Sequence, residues 1–325
     1  SVTLSTEDGK LPALDDLSFS MSRGETLAVV GESGCGKSMT ALSVMGLLPQ
    51  PPAHITGGKI VFEGVDLAPL SRTEMKPFRG NRIGMIFQEP MTSLNPVFRI
   101  GDQMDEVTML HKKSEYPTKE AVKGRTIELL KMVGIANSEG IYNMYPHELS
   151  GGMRQRVMIA MALACSPKLI IADEPTTALD VTIQAQILDL LRGLKDKINS
   201  SIMLITHDLG VIAEMADYVV VMYSGRVVEA GTAKEIFSSP AHPYTIGLMA
   251  SKPVVGKRQD KLYSIPGKVP NPINMPNYCY FRDRCDKREG CCDGAYPGEI
   301  WLSETHRVSC YRYDEAHMGS GQSKA

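Results

Sequence analysis

The hydrophobic residues of this chain fall into two kinds of segment, short continuous runs and longer stretches with helical spacing. Residues 27–30, 169–172 and 218–223 are continuous apolar runs, which are typical of strands buried on both faces of a sheet. Residues 37–48 instead place apolar side chains at helical intervals and stop before Pro49. Buried strands that alternate with helices predict an α/β fold with a parallel or mixed sheet.

Further elements follow from the same two patterns. Strands are predicted within residues 18–30 around a turn at Arg23 and Gly24, in a hairpin from 58 that turns at 63–64, and at 82–87, 168–172, 201–206, 218–222 and 226–229. Helices are predicted at 100–110, 119–133 and 151–164. Because helices occupy most of 91–158, we expect an inserted helical subdomain there, within an α/β domain that covers 1–240.

The composition of the chain changes after residue 240. Residues 243–250 can form a short helix, but 265–276 contain four prolines and little periodicity, which favours a linker with a polyproline-like backbone. We therefore predict a helix and proline-rich linker at 241–276 and a small loop-rich cysteine module at 277–316. Residues 317–325 are expected to be a disordered tail or a vector remnant.

Composition limits the class of protein. The chain has 325 residues, of which 43% are hydrophobic, and a formal net charge of −2, so nucleic acid is not expected as the main partner. The longest apolar runs are far shorter than the roughly 20 residues that span a bilayer. Residues 1–10 are polar and lack the apolar core of a secretory signal. We therefore expect a cytosolic protein.

A glycine-rich loop directly follows the predicted strand at 27–30. It fits the phosphate-binding pattern G-x-x-x-x-G-K-[ST] without a mismatch, and a strand before it and a helix after it are the context that this motif needs. Glycines let successive backbone N–H groups face one anion, which the positive end of the helix also favours. We expect the lysine to reach the β- and γ-phosphates and the serine to bind Mg²⁺. The predicted nucleotide-binding residues are Gly31, Glu32, Ser33, Gly34, Cys35, Gly36, Lys37, Ser38 and Met39.

Two acids end the apolar run at 169–172. Unpaired charge at the end of a buried strand is costly, so Asp173 and Glu174 indicate a use for both carboxylates. We expect Asp173 in the Mg²⁺ shell and Glu174 as the group that polarises the attacking water. The alternative is a pair of solvated acids that cap the next turn.

With these motifs in order along residues 1–235, the chain resembles the ATP-binding-cassette (ABC) ATPases. The resemblance implies a P-loop ABC ATPase core and further site positions: a Q-loop glutamine that senses Mg²⁺, a signature loop presented to a γ-phosphate, a D-loop, and a switch histidine. They are Gln88, then Ser150, Gly151 and Gly152, then Asp180 within Ala178-Leu179-Asp180, and His207. The implied catalytic residues are Glu174, His207 and Gln88.

Two positions depart from the family pattern. Met153 stands where the family commonly has glutamine, and Leu4 stands where it has an aromatic residue that stacks on adenine. An aliphatic side chain can pack against a base but lacks a π-face.

In the family, the signature loop of one domain completes the ATP site of another. The single copy of each motif therefore implies a head-to-tail dimer with a second ABC ATPase subunit, either a paralogue or another copy.

Five of the seven cysteines lie between residues 279 and 310. In the cytosol disulfides rarely persist, and clustered cysteines more often hold a metal or cofactor. Four thiolates can bind a [4Fe–4S] cluster or tetrahedral Zn²⁺, and the spacings here are longer than the tight cysteine pairs of zinc sites. This favours iron–sulfur over zinc. The alternative is a set of reduced cysteines without a ligand.

Three segments resemble a narrower group, the D-type ATPase subunits of dipeptide, oligopeptide or nickel importers. They are 265–285, 151–160 and 91–96. That group carries a C-terminal [4Fe–4S] cluster, and its pattern implies four ligands, with Cys292 preferred to the adjacent Cys291. The implied ligands are Cys279, Cys285, Cys292 and Cys310.

The narrower resemblance implies an ATPase subunit that powers the import of di- or oligopeptides and uses ATP and Mg²⁺. It would lie on the cytoplasmic face of the inner membrane and act on two transmembrane permease subunits, with an extracytoplasmic substrate-binding protein delivering the substrate. A nickel or other small-solute importer of the same subgroup is the alternative. A soluble ABC ATPase acting on nucleic acid would usually carry long coiled-coil insertions or two fused cassettes, and the sequence shows neither.

Overall fold

The chain divides into two compact units, and a computed structural model describes residues 1–7, 9–177, 179–251 and 263–314. Unit 1 comprises residues 1–20, 27–68 and 206–325, and unit 2 comprises residues 21–26 and 69–205. Three predictions concern residues outside the described ranges: the tail at 317–325, the part of the linker at 252–262, and Ala178 of the expected D-loop.

The main sheet of unit 1 is mixed. Its parallel pair consists of β3 (Thr26–Val30) and β10 (Tyr218–Tyr223). The strand β11 (Arg226–Thr232) pairs antiparallel with β10, and β13 (Arg307–Val308) and β12 (Ile300–Trp301) continue the sheet in antiparallel order. Every residue of β3 is buried, as expected for a continuous apolar run inside a sheet.

Unit 1 also contains a smaller antiparallel sheet with the order β2-β1-β4. Its strands are β1 (Val2–Thr6), β2 (Gly9–Leu14) and β4 (Ala53–Ile55). The sequence patterns did not predict these strands, because their residues are mostly half-buried and do not alternate cleanly. Leu4, the position expected to face adenine, lies in β1 and pairs with Leu11.

The predicted hairpin is confirmed. It consists of β5 (Val61–Phe62) and β6 (Val65–Asp66). Glu63 and Gly64 connect them with φ angles of 46° and 83°, and positive φ at both central residues is the mark of a type I′ hairpin turn.

Unit 1 also contains helices. They are α1 (Lys37–Val44), α8 (Leu209–Met215), α9 (Ala233–Ser238) and α10 (Pro243–Ala250). Three aromatic rings join the sheet to the C-terminal residues: Tyr223 of β10 packs edge-on against Tyr244 of α10 and Phe281, with ring centroids 4.8 and 5.2 Å apart. Within 263–314, the structure contains only β12, β13 and short 3₁₀ turns, which matches the expected loop-rich module.

Unit 2 contains three parallel strands and most of the helices. The strands β7 (Ile83–Ile86), β8 (Leu169–Asp173) and β9 (Ser201–Ile205) pair in the order β7-β8-β9. The helices are α2 (Pro90–Ser93), α3 (Ile100–His111), α4 (Lys119–Met132), α5 (Ser138–Asn143), α6 (Gly151–Leu163) and α7 (Val181–Ile198). Five of them lie between β7 and β8, where the helical insertion was expected. No helix in the described ranges is long and apolar enough to cross a membrane.

One partly buried hydrogen-bonded group connects three of these helices. The Asp105 carboxylate of α3 accepts hydrogen bonds from the Thr126 hydroxyl of α4 and the Tyr142 hydroxyl of α5, both at 2.6 Å. Bonds to a charged acceptor are shorter and stronger than neutral ones, so this group fixes the packing of α3, α4 and α5.

Two predictions at element level are wrong, and one long helix was missed. Residues 18–22 do not form a strand although their exposure alternates, because side-chain alternation alone does not supply a pairing partner. Helix α1 ends at Val44 rather than at residue 48. Helix α7 was not predicted, although its buried residues Ile187, Leu188, Leu191 and Leu194 have helical spacing.

Gly84 gives a stability test of the contact between β7 and α6. A Cβ at this buried position would lie 2.4 Å from the carbonyl oxygen of Ala162, whereas a Cβ on the exposed Gly124 of α4 would meet nothing within 4 Å. We expect Gly84→Ala to lower the free energy of unfolding by about 1–3 kcal/mol through overpacking. The control Gly124→Ala should raise it by up to about 1 kcal/mol. Urea titrations of both variants test this, and equal midpoints would contradict the contact.

Candidate nucleotide site and cysteine cavity

The glycine-rich loop connects β3 to α1 along a path that leaves no room for a side chain at Gly31 or at Gly36. A Cβ on Gly31 would lie 2.3 Å from the carbonyl oxygen of Met222, and one on Gly36 would lie 2.8 Å from that of Ala13. Gly34 and Gly36 also have φ angles of 80° and 100°, a conformation that glycine adopts without penalty. Packing and backbone conformation together explain why the loop needs glycine at these positions.

Lys37 places a positive charge inside this loop. Its side chain is buried, and its amino group donates to the carbonyl oxygens of Gly31 and Glu32 at 2.8 and 3.0 Å. Helix α1 begins at Lys37 after a glycine that has no side chain to cap it. The positive end of the helix, the loop N–H groups and the lysine amine therefore favour an anion at the same place.

Two residues from the C-terminal part of unit 1 hold Glu32 in this loop, and the sequence predictions did not include them. Both guanidinium Nη atoms of Arg284 donate to the Glu32 carboxylate, at 2.6 and 3.0 Å. The Tyr244 hydroxyl accepts a hydrogen bond from the Glu32 backbone N–H at 2.8 Å. In the sequence, Arg284 is marked only by its place between Cys279 and Cys285. That place does not indicate a contact with a residue as distant along the chain as Glu32.

In unit 2 the structure brings together two of the predicted catalytic residues. The Glu174 carboxylate accepts hydrogen bonds from the Gln88 side-chain amide at 3.1 Å and from the Thr177 hydroxyl at 2.9 Å. Glu174 has a φ of 46°, in the left-handed region that non-glycine residues rarely adopt and that is concentrated at functional sites. Its backbone N–H donates to the Ile205 carbonyl oxygen at 2.8 Å. Thr177 was missed because a threonine in a turn carries no distinctive signal.

The turn after Glu174 is fixed by α6. The buried Gln155 donates from its side-chain amide to the carbonyl oxygen of Pro175 at 2.6 Å. Asp173 lies buried at the end of β8, directly before this turn. The two acids predicted from the sequence therefore end a buried strand, and the turn that follows is held by the helix that begins at the expected signature loop.

The expected signature loop and D-loop lie at the starts of two helices in unit 2. Ser150 caps α6, since its side chain accepts from the Met153 backbone N–H at 3.3 Å, and Asp180 caps α7 by accepting from the Ile183 N–H at 3.0 Å. A Cβ on Gly152 would lie 3.0 Å from Ile183. Ser150 and Gly151 are exposed, so this end of α6 is accessible on the described chain.

The predicted site residues are divided between the two units. Unit 1 holds the loop residues 31–38, Met39 and His207, while unit 2 holds Gln88, the residues 150–152, Asp173, Glu174 and Asp180. His207 is exposed and is followed by Asp208, whose side chain caps α8.

The cysteines of the C-terminal part converge on one cavity in unit 1. Burial, with a smaller contribution from neighbouring cysteine thiols, raises the pKa of the Cys279 thiol to about 12 and that of the Cys310 thiol to about 11. Among the described residues, no group of three or more His, Cys, Asp or Glu side chains is arranged to hold a metal ion. The cavity nevertheless offers the soft sulfur donors that iron–sulfur clusters and zinc take. Its lining includes Cys279, Cys285, Cys291, Cys292 and Cys310.

Comparison with known proteins identifies the family. The family model described as "ABC transporter" matches residues 14–177. The oligopeptide transport ATP-binding protein AppD of Bacillus subtilis is 52% identical over 305 residues, which cover 94% of this chain and 92% of AppD. The chain belongs to the ABC transporter family. The dipeptide transport ATP-binding protein DppD of the same organism is 48% identical over 97% of this chain and 93% of its own length. A second model, "Oligopeptide/dipeptide transporter, C-terminal region", matches residues 228–292.

Solved structures support the same assignment. The ATP-binding cassette MJ0796, solved as a dimer bound to ADP and phosphate, matches with a TM-score of 0.63 and 26% identity over 72% of this chain and 99% of its own. CbiO1 from Clostridium perfringens matches with a TM-score of 0.60 and 29% identity over 73% of this chain and 90% of its own. The predicted P-loop ABC ATPase fold, with its mixed sheet and helical subdomain, is confirmed, and the chain is an ATPase of this class.

Removal of the Lys37 amine tests the anion site in the glycine loop. We expect Lys37→Ala to weaken ATP binding by about 10- to 100-fold, because it removes charged hydrogen bonds worth about 1.5–3 kcal/mol. Titration of the full chain with a fluorescent ATP analogue measures the effect. Lys59→Ala, at an exposed position of the same unit, serves as control and should bind normally. Unchanged affinity in Lys37→Ala would mean that the phosphates bind elsewhere.

Proposed function

We propose that this chain is the ATP-hydrolysing subunit of an importer for di- or oligopeptides. The observation that carries the proposal is the match of the C-terminal region model to residues 228–292. It is supported by 48–52% identity to oligopeptide and dipeptide transport subunits over nearly the whole chain. A general ABC cassette would account for the fold but not for the C-terminal match.

The glycine loop would hold the phosphates of ATP. The Lys37 amine and the N–H groups at the start of α1 would face them, as the buried position of Lys37 and the glycine geometry support. Ser38 and Asp173 fit Mg²⁺ by donor type, because this ion prefers hydroxyl and carboxylate oxygens. When bound, Mg²⁺ would neutralise phosphate charge, and Gln88 would sense its presence.

Glu174 would act as the catalytic base. Its carboxylate would polarise a water molecule that attacks the γ-phosphorus, so that a new P–O bond forms while the bond to ADP breaks. The hydrogen bonds from Gln88 and Thr177 support this role, since they orient the carboxylate. His207 would contact the γ-phosphate and hold it in place.

The chain would work as half of a head-to-tail dimer. Ser150, Gly151 and Gly152 would complete the ATP site of a second ABC subunit, either a paralogue or another copy, and Asp180 would lie near the same boundary. The exposed start of α6 supports this arrangement. The dimer would act at the cytoplasmic face of the membrane on two permease subunits, with an extracytoplasmic binding protein that delivers the peptide.

The C-terminal cysteines would hold a [4Fe–4S] cluster with a structural or regulatory role, and Zn²⁺ is the alternative ligand. Their shared cavity supports this. Besides burial, a neighbouring Cys292 contributes to the raised pKa of Cys279, Cys285 and Cys310, which supports Cys292 as the remaining ligand. Residues 277–316 would then be a cysteine module attached to the nucleotide-binding domain at 1–240.

The role of Glu174 is tested by removing its charge without changing its shape. We expect Glu174→Gln to reduce the ATPase kcat by about 10²- to 10⁴-fold, the usual contribution of a positioned base, while ATP binding is retained. Steady-state hydrolysis and equilibrium binding of ATP measure the two effects. Glu106→Gln, an equivalent change at an exposed residue of α3, should leave both unchanged. Undiminished hydrolysis by Glu174→Gln would remove Glu174 from the mechanism.

The cysteine assignment is tested by metal analysis. Anaerobically purified protein should contain about four irons per chain and show the absorption of a [4Fe–4S] cluster. Cys292→Ser should lose the iron, and Cys291→Ser, the matched change at the neighbouring residue, should retain it. Stoichiometric zinc in place of iron would overturn the cluster, and the reverse behaviour of the two variants would overturn the choice of ligand.

A further inference from the structure

The contacts between the C-terminal region and the glycine loop join two parts of the chain that belong to different family models. Glu32 lies in the stretch matched by the ABC transporter model at 14–177, whereas Tyr244 and Arg284 lie in the C-terminal region model at 228–292. We propose that Arg284 and Tyr244 are positioning residues for ATP, which hold Glu32 so that the loop keeps its phosphate-binding shape. The inference rests on the proposed role of residues 31–38 as the phosphate loop.

The first step is that Arg284 is held rigidly. Its side chain is 5% exposed, and it donates from Nε to the Pro266 carbonyl oxygen at 2.9 Å as well as from both Nη atoms to Glu32. Nη1 also lies 3.4 Å from the Tyr223 hydroxyl. Because other groups also hold the guanidinium, it can bind the carboxylate through both Nη atoms in only one orientation. Glu32 therefore cannot change rotamer without breaking two charged hydrogen bonds.

The second step is electrostatic. The Glu32 carboxylate belongs to a loop that must accept the negative phosphates of ATP, and like charges repel more strongly where water is excluded. Arg284 pairs with this carboxylate at 2.6 Å, so its charge offsets that of Glu32. Without Arg284, an unpaired carboxylate would remain beside the anion site.

The third step concerns the backbone. The Glu32 backbone is held at two places, because its N–H donates to the Tyr244 hydroxyl and its carbonyl oxygen accepts from the Lys37 amine. Tyr244 has no exposed surface and packs against Tyr223 and Phe281. Contacts to both the side chain and the backbone of Glu32 would therefore keep this part of the loop in its phosphate-binding shape.

A second chain of contacts holds the other side of the loop. The Tyr280 hydroxyl donates to the Asp15 carboxylate at 2.6 Å, and Arg226 pairs with the same carboxylate at 2.7 Å. The adjacent Gly225 donates its N–H to the Cys35 carbonyl oxygen at 3.0 Å. Tyr280 and Arg284 lie in one short segment, which therefore contacts the loop directly at Glu32 and indirectly at Cys35, through Asp15, Arg226 and Gly225.

The test separates ATP affinity from turnover. We expect Arg284→Gln to raise the Kd and the KM for ATP at least about tenfold, while kcat in the assembled ATPase changes less than about threefold. Tyr244→Phe should raise both by about two- to tenfold, because it removes only the hydroxyl. In the double variant Glu32→Gln with Arg284→Gln, the unpaired carboxylate is gone but the ion pair that holds residue 32 is still absent, so the affinity should lie between that of Arg284→Gln and that of the wild type. A role in folding alone would not restore part of the phosphate affinity in this way.

Arg282→Gln is the matched control. Arg282 lies in the same 3₁₀ turn as Arg284 and lines the cysteine cavity, but its ion pairs are with Asp283 and Asp293. It should leave the Kd for ATP unchanged. Iron content and thermal midpoint without nucleotide, measured for every variant, show which chains are folded. If Arg284→Gln does not fold, Tyr244→Phe and the double variant decide.

Two results would overturn the inference. One is wild-type ATP affinity in both Arg284→Gln and Tyr244→Phe, and the other is equal weakening by Arg282→Gln. The Lys37→Ala variant separates this failure from a failure of the phosphate-loop assignment. If Lys37→Ala loses ATP while Arg284→Gln and Tyr244→Phe retain it, only the positioning role is wrong. If Lys37→Ala also binds normally, the loop assignment is wrong as well.

Discussion

A loop that offers its backbone N–H groups to an anion cannot use the same groups to stabilise its own fold. The glycine loop of this chain therefore depends on its surroundings for its shape. The Met222 carbonyl oxygen packs against Gly31, and the Gly225 N–H donates to the Cys35 carbonyl oxygen. The Lys37 amine donates to two carbonyl oxygens of the loop. Much of unit 1 can be understood as the support that this loop needs. The sheet strand β10 carries Met222, and the turn to β11 carries Gly225.

The same constraint applies to Glu174 in unit 2. A side chain in the left-handed region is costly unless its surroundings fix it, and here the backbone N–H is bound to Ile205 while the carboxylate is bound to Gln88 and Thr177. Gln155 of α6 then holds the next residue in the turn. In the proposed role as catalytic base, Glu174 would gain from this arrangement, because its orientation is set before any substrate binds.

The C-terminal residues are attached to unit 1 by a buried acid. Glu229 of β11 has no exposed surface, and its carboxylate accepts hydrogen bonds from the Ala241 and His242 backbone N–H groups and pairs with His306. One carboxylate thus fixes the start of α10 and the hairpin of β12 and β13. Burial lowers the pKa of His242 to about 3, so this histidine stays neutral beside the cysteine cavity that it lines.

Much of the fold could be predicted from the sequence, because the strongest signals were local. The buried strands at β3, β8, β9 and β10 were found where continuous apolar runs predicted them. The weaker strands β1 and β2 were missed because their half-buried residues carry no clear period. Gln88 and Glu174, which the resemblance implied as catalytic residues, are joined by a hydrogen bond in unit 2, whereas Thr177 and Gln155 were not predicted, since neither residue type is distinctive by itself.

The sequence alone therefore determined the family, the phosphate motif, the acidic pair and the cysteine set, because each depends on residue types at short spacing. The tertiary structure decided which distant residues support them. Glu32 is 252 residues from Arg284 along the chain, and no local pattern encodes a pairing at that separation. It arises because α10 and the loop after Cys279 pack on the strand that ends beside the glycine loop, and only packing brings these groups within hydrogen-bond distance.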